Sequence, residues 1–285
     1  MTTASTPHHK VRSDVPFYIG LSVIGGFYIF IIIAMLLADS AMLVSGTTSD
    51  EESNAFLAAL ASPEIQYSIK LSLITCSITA ILSLWVAIPI GYLMSRHRFP
   101  GKIIIDAILD IPIVLPPLVI GLSLLVLFTT PLGVVVENTF HKLTGSHITY
   151  AIPGVILAQF MVACAFAVRT MRATFEELHP RREQVAMSLG CNRSQAFWYV
   201  TLPEARRGVL VAGTLAWARS LGEFGPILIF GGATRMKTEV LPTSVFLELS
   251  VGNVEVAIAV SMLMILVAMI VLILVRVLGQ EKYVR

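Results

Sequence analysis

The chain has 285 residues, 56% of them hydrophobic and 13% charged, with a formal net charge of +2. A soluble globular chain carries about 25% charged residues, so the composition argues against a water-soluble enzyme or a nucleic-acid-binding module and for an integral membrane protein. Cys76, Cys164 and Cys191 lack the close spacing of a metal site or a disulfide framework, and no metal is expected.

Residues 1–15 read as a polar cytoplasmic tail, in which His8 and His9 fit a mobile segment better than metal ligands. Apolar runs predict membrane spans at 17–38, 67–94, 103–128, 151–168, 208–230 and 254–275, lengths suited to a hydrocarbon core of roughly 30 Å. The first is too long for a signal-peptide core and no small-residue cleavage site follows it, so it reads as a retained helix. One all-α transmembrane domain over 16–285 is expected. Polar loops fall at 39–66 and 129–150, and a basic turn at 95–101. A long basic loop covers 169–207. The segment 231–253 carries a short apolar stretch, Leu241 to Val251, whose helical spacing suits a helix lying at the membrane surface. With the N-terminus inside, 15 of the 20 lysines and arginines face the cytoplasm. Lys70, Lys142, Arg235 and Lys237 fall outside, and Arg219 falls within a span. The positive-inside bias therefore gives six helices with both termini inside.

The loop 169–207 holds the most distinctive stretch, Glu183 to Gly208. Leu189-Gly190 is a helix-stop signal, because glycine takes a left-handed cap without strain. Asn192 or Ser194 can cap a second short helix carrying Phe197, Trp198 and Val200, which Leu202-Pro203 is expected to close. Two short helices with apolar and aromatic residues among basic ones form a knob suited to a partner's groove. The third span is interrupted by Pro112, Pro116 and Pro117. Asp106 and Asp110 lie one turn apart at its cytoplasmic end. Asp110 either ties the span to neighbouring helices or a gate, or is an interfacial carboxylate. In the fifth span, Arg219 and Glu223 have the i, i+4 spacing of an ion pair within one helix. Arg219 could also lend positive potential to an anion path. Gly222 and Gly225 beside them allow close helix approach, at a dimer seam or a gate. No G-x-x-x-x-G-K-[ST] phosphate loop occurs, so any ATP must bind another chain; no catalytic residue and no cofactor of this chain is expected.

These features resemble the permease subunits of bacterial ABC importers. Their cytoplasmic loop reads E-A-A, three residues, G, nine residues, a branched apolar residue, one residue, L-P. Here Gly190 is followed by nine residues and then Val200, Thr201, Leu202 and Pro203. Gln184, Val185 and Ala186 stand at the E-A-A positions, so the family glutamate is replaced. Glu183, one residue earlier, points about 100° away on a helix. Gly222-Glu223-Phe224-Gly225, Asp110 with its following prolines, and the run Lys237 to Pro242 are similar to the molybdate, tungstate and sulfate branch.

The resemblance implies a coupling loop that engages ABC-type ATPase subunits through Glu183, Gln184, Ala186, Leu189, Gly190, Phe197, Val200, Leu202 and Pro203, with ATP and magnesium held by the ATPase. It implies pore or gate positions at Asp110, Pro116, Pro117, Gly121, Arg219, Gly222, Glu223 and Gly225. It also implies a second copy of the chain, an extracytoplasmic substrate-binding protein docking on the outer loops, and location in the bacterial inner membrane. The expected cargo is molybdate or tungstate, with sulfate or thiosulfate as the alternative. Two readings of another class are an ion-coupled secondary transporter, for which matched internal repeats are the usual sign, and a membrane scaffold without transport.

Overall fold

The computed structural model describes residues 15–45, 61–97 and 99–279, and every regular element among them is helical. The predicted tail before Val15 and most of the acidic loop after Ser45 lie outside the described residues. The chain forms two units, the first holding helix α1 and the second everything from α2 onward. Helix α1 (Val15–Ser45) contains the first predicted span and is apolar around its whole circumference, as suits a helix immersed in hydrocarbon.

The second unit is organised around α2 (Pro63–Arg96). One face of α2 repeats small residues every three or four positions: Ser68, Ser72, Thr75, Thr79 and Ser83, all fully buried. Small side chains let helices approach closely, and their hydroxyls need partners in an apolar setting. Thr79 donates to Gln159 Oε1 at 3.2 Å, and Gln159 Nε2 donates to the Ser220 carbonyl at 3.3 Å. This relay joins α2 to α6 (Ile152–Glu177) and α9 (Arg206–Leu221).

The third predicted span is broken at Pro116 and Pro117, as their residue type led one to expect, while Pro112 lies inside a helix. It is two helices, α3 (Lys102–Val114) and α4 (Pro117–Thr129), bent by 112°. Leu115 and Pro116 have extended ψ values of 141° and 134°, because a residue before proline is pushed out of the helical region and neither proline can donate to the ladder. The predicted loop 129–150 contains a helix of its own, α5 (Pro131–Thr144), with the Thr130 hydroxyl accepting from the Gly133 amide at 3.3 Å. Helix α6 runs nine residues past the predicted span end, so the loop after it starts at Leu178. The loop forms α7 (Pro180–Ser188) and α8 (Arg193–Ala196).

The fifth predicted span is also interrupted. Helix α9 stops at Leu221, and the chain resumes as a π-helical turn at Ile227–Gly231. Four described helices are long and apolar enough to cross a membrane, five if α3 with α4 counts as one broken span. The break after α9 fits against the break between α3 and α4. A Cβ on Gly121 would lie 2.7 Å from Pro226 Cα, and one on Gly225 would lie 3.0 Å from the Leu118 amide. Backbone meets backbone at both places.

The short helix expected at Leu241–Val251 is present, and one of its faces packs on the protein. Helix α10 (Leu241–Val251) buries Leu241, Thr243, Ser244 and Glu248. The Leu241 amide donates to Ser72 Oγ at 2.8 Å and Ser244 Oγ to Ser68 Oγ at 2.9 Å, so the polar face of α2 holds it. Arg235 pairs with Glu248 at 2.6 Å. Glu239 beside them is 1% exposed, and burial pushes its carboxyl above the usual carboxylate range. Helix α11 (Val254–Gly279) completes the described chain.

The backbone contact at Gly121 makes a specific demand. Gly121→Val is expected to lower stability by roughly 1–3 kcal/mol through overpacking. Gly222→Ala, whose Cβ would meet only atoms 4.0 Å away, should be close to neutral. Thermal unfolding of the purified chain in detergent compares the two.

Candidate functional site

The predicted two-helix knob is present. Gly190 has φ +99°, a left-handed backbone that ends α7, and the Cys191 amide donates back to the Ala186 carbonyl at 3.1 Å. Asn192 supplies the next cap. Its Oδ1 accepts from the Gln195 amide at 2.8 Å, while Gln195 Oε1 accepts from the Asn192 amide at 2.9 Å, a reciprocal capping box.

Leu202-Pro203 does not close the second helix, which is a correction. The helix widens into a π turn at Phe197–Thr201, where the Leu202 amide donates to the Phe197 carbonyl, and then passes through Leu202–Glu204 to α9. Proline clashes with the carbonyl four residues back and offers no N–H. One wider turn before Pro203 moves those carbonyls aside and lets the helix continue.

Glu183 and Gln184 take opposite roles. Gln184 is exposed, while Glu183 is buried. Its Oε1 accepts from the Tyr92 hydroxyl. Its Oε2 accepts from Thr201 Oγ1 at 3.5 Å and lies 3.6 Å from Arg96 Nε. The carboxylate therefore joins α7, the end of α2 and the π turn. Phe197 packs at 4.7 Å from the Tyr92 ring, and Tyr92 at 5.7 Å from Phe175 of α6. Ala186 is buried beneath the loop, and Val200 and Leu202 are half-buried. Leu189, Val185, Trp198 and Tyr199 all stand outward, between 58% and 82% exposed, with Gly190 and Pro203 exposed among them. Sequence reasoning missed Tyr92, Arg96 and Thr201 as partners of Glu183, because they lie 18 to 91 positions away. Tyr199 was legible only as one more aromatic in the run after Gln195.

The pore candidates separate into two groups. Asp110 lines a cavity of about 310 Å³ together with Asp106, Arg169, Arg172 and Glu176. Arg172 bonds both Asp106 and Glu176, tying α3 to α6. Pro116, Pro117, Gly121, Gly222, Glu223 and Gly225 gather at the paired helix breaks. Arg219 and Glu223 pair as expected, at 2.6 Å. The pair is not within a regular helix, since Glu223 follows the cap at Gly222. Glu223 is 1% exposed, its Oε1 has no hydrogen-bond partner among the described residues, and Arg219 sits 5.7 Å over the Phe166 ring.

Two outcomes follow from these contacts. Glu183→Ala strands the Arg96 guanidinium and the Tyr92 hydroxyl and is expected to cost roughly 1–3 kcal/mol, with faster amide exchange across 193–204; Gln184→Ala, at an exposed position, should stay within about 0.5 kcal/mol. Arg219→Met leaves Glu223 buried without its cation, a loss of roughly 3–5 kcal/mol, most of which the double variant Arg219→Met, Glu223→Leu should restore. Equal melting of the single and double variants in detergent would show that the pair carries no such coupling.

Comparison with known proteins places this geometry. Residues 87–282 match the family described as "Binding-protein-dependent transport system inner membrane component". The sulfate transport system permease protein CysT of Salmonella typhimurium is 29% identical over 229 residues, 79% of this chain and 80% of that protein. The molybdenum transport system permease protein ModB of Escherichia coli is 34% identical over 187 residues, 66% of this chain and 80% of its own. A chain of the bacterial alginate ABC transporter, crystallised with an alginate-pentasaccharide-bound periplasmic protein, superposes with a TM-score of 0.71 at 16% identity, covering 92% of this chain and 93% of that one. At that identity the likeness is one of fold. The chain is a multi-pass membrane permease subunit belonging to the family of inner-membrane components of binding-protein-dependent transport systems.

Proposed function

We propose that this chain is the pore subunit of an ATP-driven importer of a tetrahedral oxyanion, with molybdate or tungstate as the first cargo. The observation that carries the reading is its kinship to permeases named for molybdenum and for sulfate transport. The Gly222-Glu223-Phe224-Gly225 run and the Lys237–Pro242 segment support the same branch. Sulfate or thiosulfate is the second reading, favoured by the longer stretch matched in the sulfate permease.

In this reading two copies of the chain form the pathway in the bacterial inner membrane. The outward-facing Val185, Leu189, Trp198 and Tyr199 enter a groove of an ATPase subunit, which binds ATP and magnesium. A substrate-binding protein delivers the anion to the opposite side, where α5, α10 and their loops lie. Closure of the ATPase pair draws the two loops together. Glu183 passes that displacement to α2 through Tyr92 and Arg96, and the helices turn as rigid bodies. The permease chain performs no hydrolysis.

Cells expressing this chain with its ATPase and binding protein provide the test. Uptake of labelled molybdate should be blocked by micromolar tungstate and untouched by excess sulfate. Block by sulfate moves the protein to the sulfate reading. No uptake of either anion by the assembled complex overturns the oxyanion assignment.

A further inference from the structure

Helices α3 and α6 flank a cavity of about 310 Å³, a size at the lower end of the range for small-molecule sites. Its charged lining is Asp106 and Asp110 of α3 with Arg169, Arg172 and Glu176 of α6. The spacing of four on α3 and of three on α6 puts each helix's contribution on one face. Arg172 is engaged twice, by Asp106 and by Glu176. Asp110 and Arg169 have neither a hydrogen bond nor an ion pair with another described residue. Arg169 is exposed and Asp110 half-buried, so neither is sealed away from what enters the cavity.

The charge balance selects the occupant. Three carboxylates stand against two guanidiniums, so the lining carries one net negative charge. A purely anionic occupant, whether an oxyanion or an acidic lipid headgroup, gains Arg169 and meets the surplus carboxylate. A purely cationic one satisfies Asp110 and leaves Arg169 unmatched. A zwitterion bearing a phosphate and a primary ammonium matches both. The phosphate accepts charge-assisted hydrogen bonds from a guanidinium, and the ammonium donates to a carboxylate.

The surroundings point to a lipid as the source. Arg169 lies just past the predicted end of the span 151–168, and Asp110 lies near the start of the span 103–128, where hydrocarbon gives way to headgroups. Helix α3 buries no residue, and its Ile103, Ile104, Ile108 and Val114 are 56% to 85% exposed. An acyl chain can follow that apolar surface while its headgroup enters the cavity. We propose that the cavity binds the headgroup of a phosphatidylethanolamine lipid, its phosphate on Arg169 and its ammonium on Asp110. The lipid bridges α3 and α6 beside the Asp106–Arg172 pair, a second tie that the protein's own side chains do not make. The site needs a membrane around the chain and nothing from the transport reading.

Native mass spectrometry of the full chain, titrated with phosphatidylethanolamine, phosphatidylcholine and phosphatidylglycerol of matched acyl chains, tests the site. Phosphatidylethanolamine should bind saturably and about tenfold more tightly than the other two. A choline headgroup has no N–H to donate to Asp110, and a glycerol headgroup brings no positive charge to it. Asp110→Asn and Arg169→Gln should each weaken phosphatidylethanolamine about tenfold, the loss of one charge-assisted hydrogen bond. Thermal unfolding without added lipid checks that both variants remain folded, and the comparison of lipids on the unaltered chain tests the site without any substitution. Saturable binding with that preference, weakened by both variants, supports the site. Equal binding of the three lipids, preference for phosphatidylglycerol, or binding that either variant leaves unchanged overturns it. So does the absence of saturable binding, the result expected if a second copy of the chain covers this face. Since no uptake is measured, a failure here leaves the transport reading standing.

Discussion

One carboxylate fixes the end of this protein where α7 and α8 meet the end of α2. Glu183 is taken out of water and receives in return the Tyr92 hydroxyl, the Thr201 hydroxyl and the nearby Arg96 cation. A buried carboxylate is tolerated only where such partners converge, and here they come from the end of α2 and from the second half of the loop. With Glu183 committed inward, helix periodicity turns Val185 and Leu189 outward. The same anchoring seats Phe197 on Tyr92 and leaves Trp198 and Tyr199 facing away. The apolar surface of the knob thus follows from where one charge is buried.

Deeper in the molecule, order comes from contact between backbones. Two helices are broken, one by Pro116-Pro117 and the other after Gly222, and the broken ends meet through Gly121 and Gly225. Each break frees polar backbone groups that hydrocarbon would not tolerate. Membrane proteins accept such breaks where protein covers them, and these two cover each other. The π turn at Ile227–Gly231 follows Pro226 as the turn at Phe197–Thr201 precedes Pro203. Only Pro203 is accommodated by widening the helix before it; Pro226 starts its helical segment, where proline is tolerated.

The sequence made much of this legible. Hydrophobic runs located α1, α2, α6 and α11, and the Gly190 and Asn192 signals located the turn between the loop helices, because caps and spans are local properties. The i, i+4 spacing of Arg219 and Glu223 likewise identified a real pair. What it hid was longer in range. Proline interruptions in the third span gave no angle, because the bend depends on what α4 packs against. The hydroxyls of α2 look unremarkable in an apolar run until Gln159, Leu241 and Ser244 are brought to them. The partners of Glu183 were hidden for the same reason, and Leu202-Pro203 misled because a π turn leaves no composition of its own.

Helix α3 has no buried residue of its own, and the ion pair from Asp106 to Arg172 ties it to α6 with both side chains about a third exposed. Attraction between charges so open to solvent is screened by dissolved salt, whose Debye length shrinks from about 10 Å at 0.1 M to about 3 Å at 1 M. The grip of α6 on α3 is accordingly set in part by the fluid bathing it. Raising the salt concentration loosens this strut while leaving the apolar contacts around α2 and the interlocked breaks unchanged.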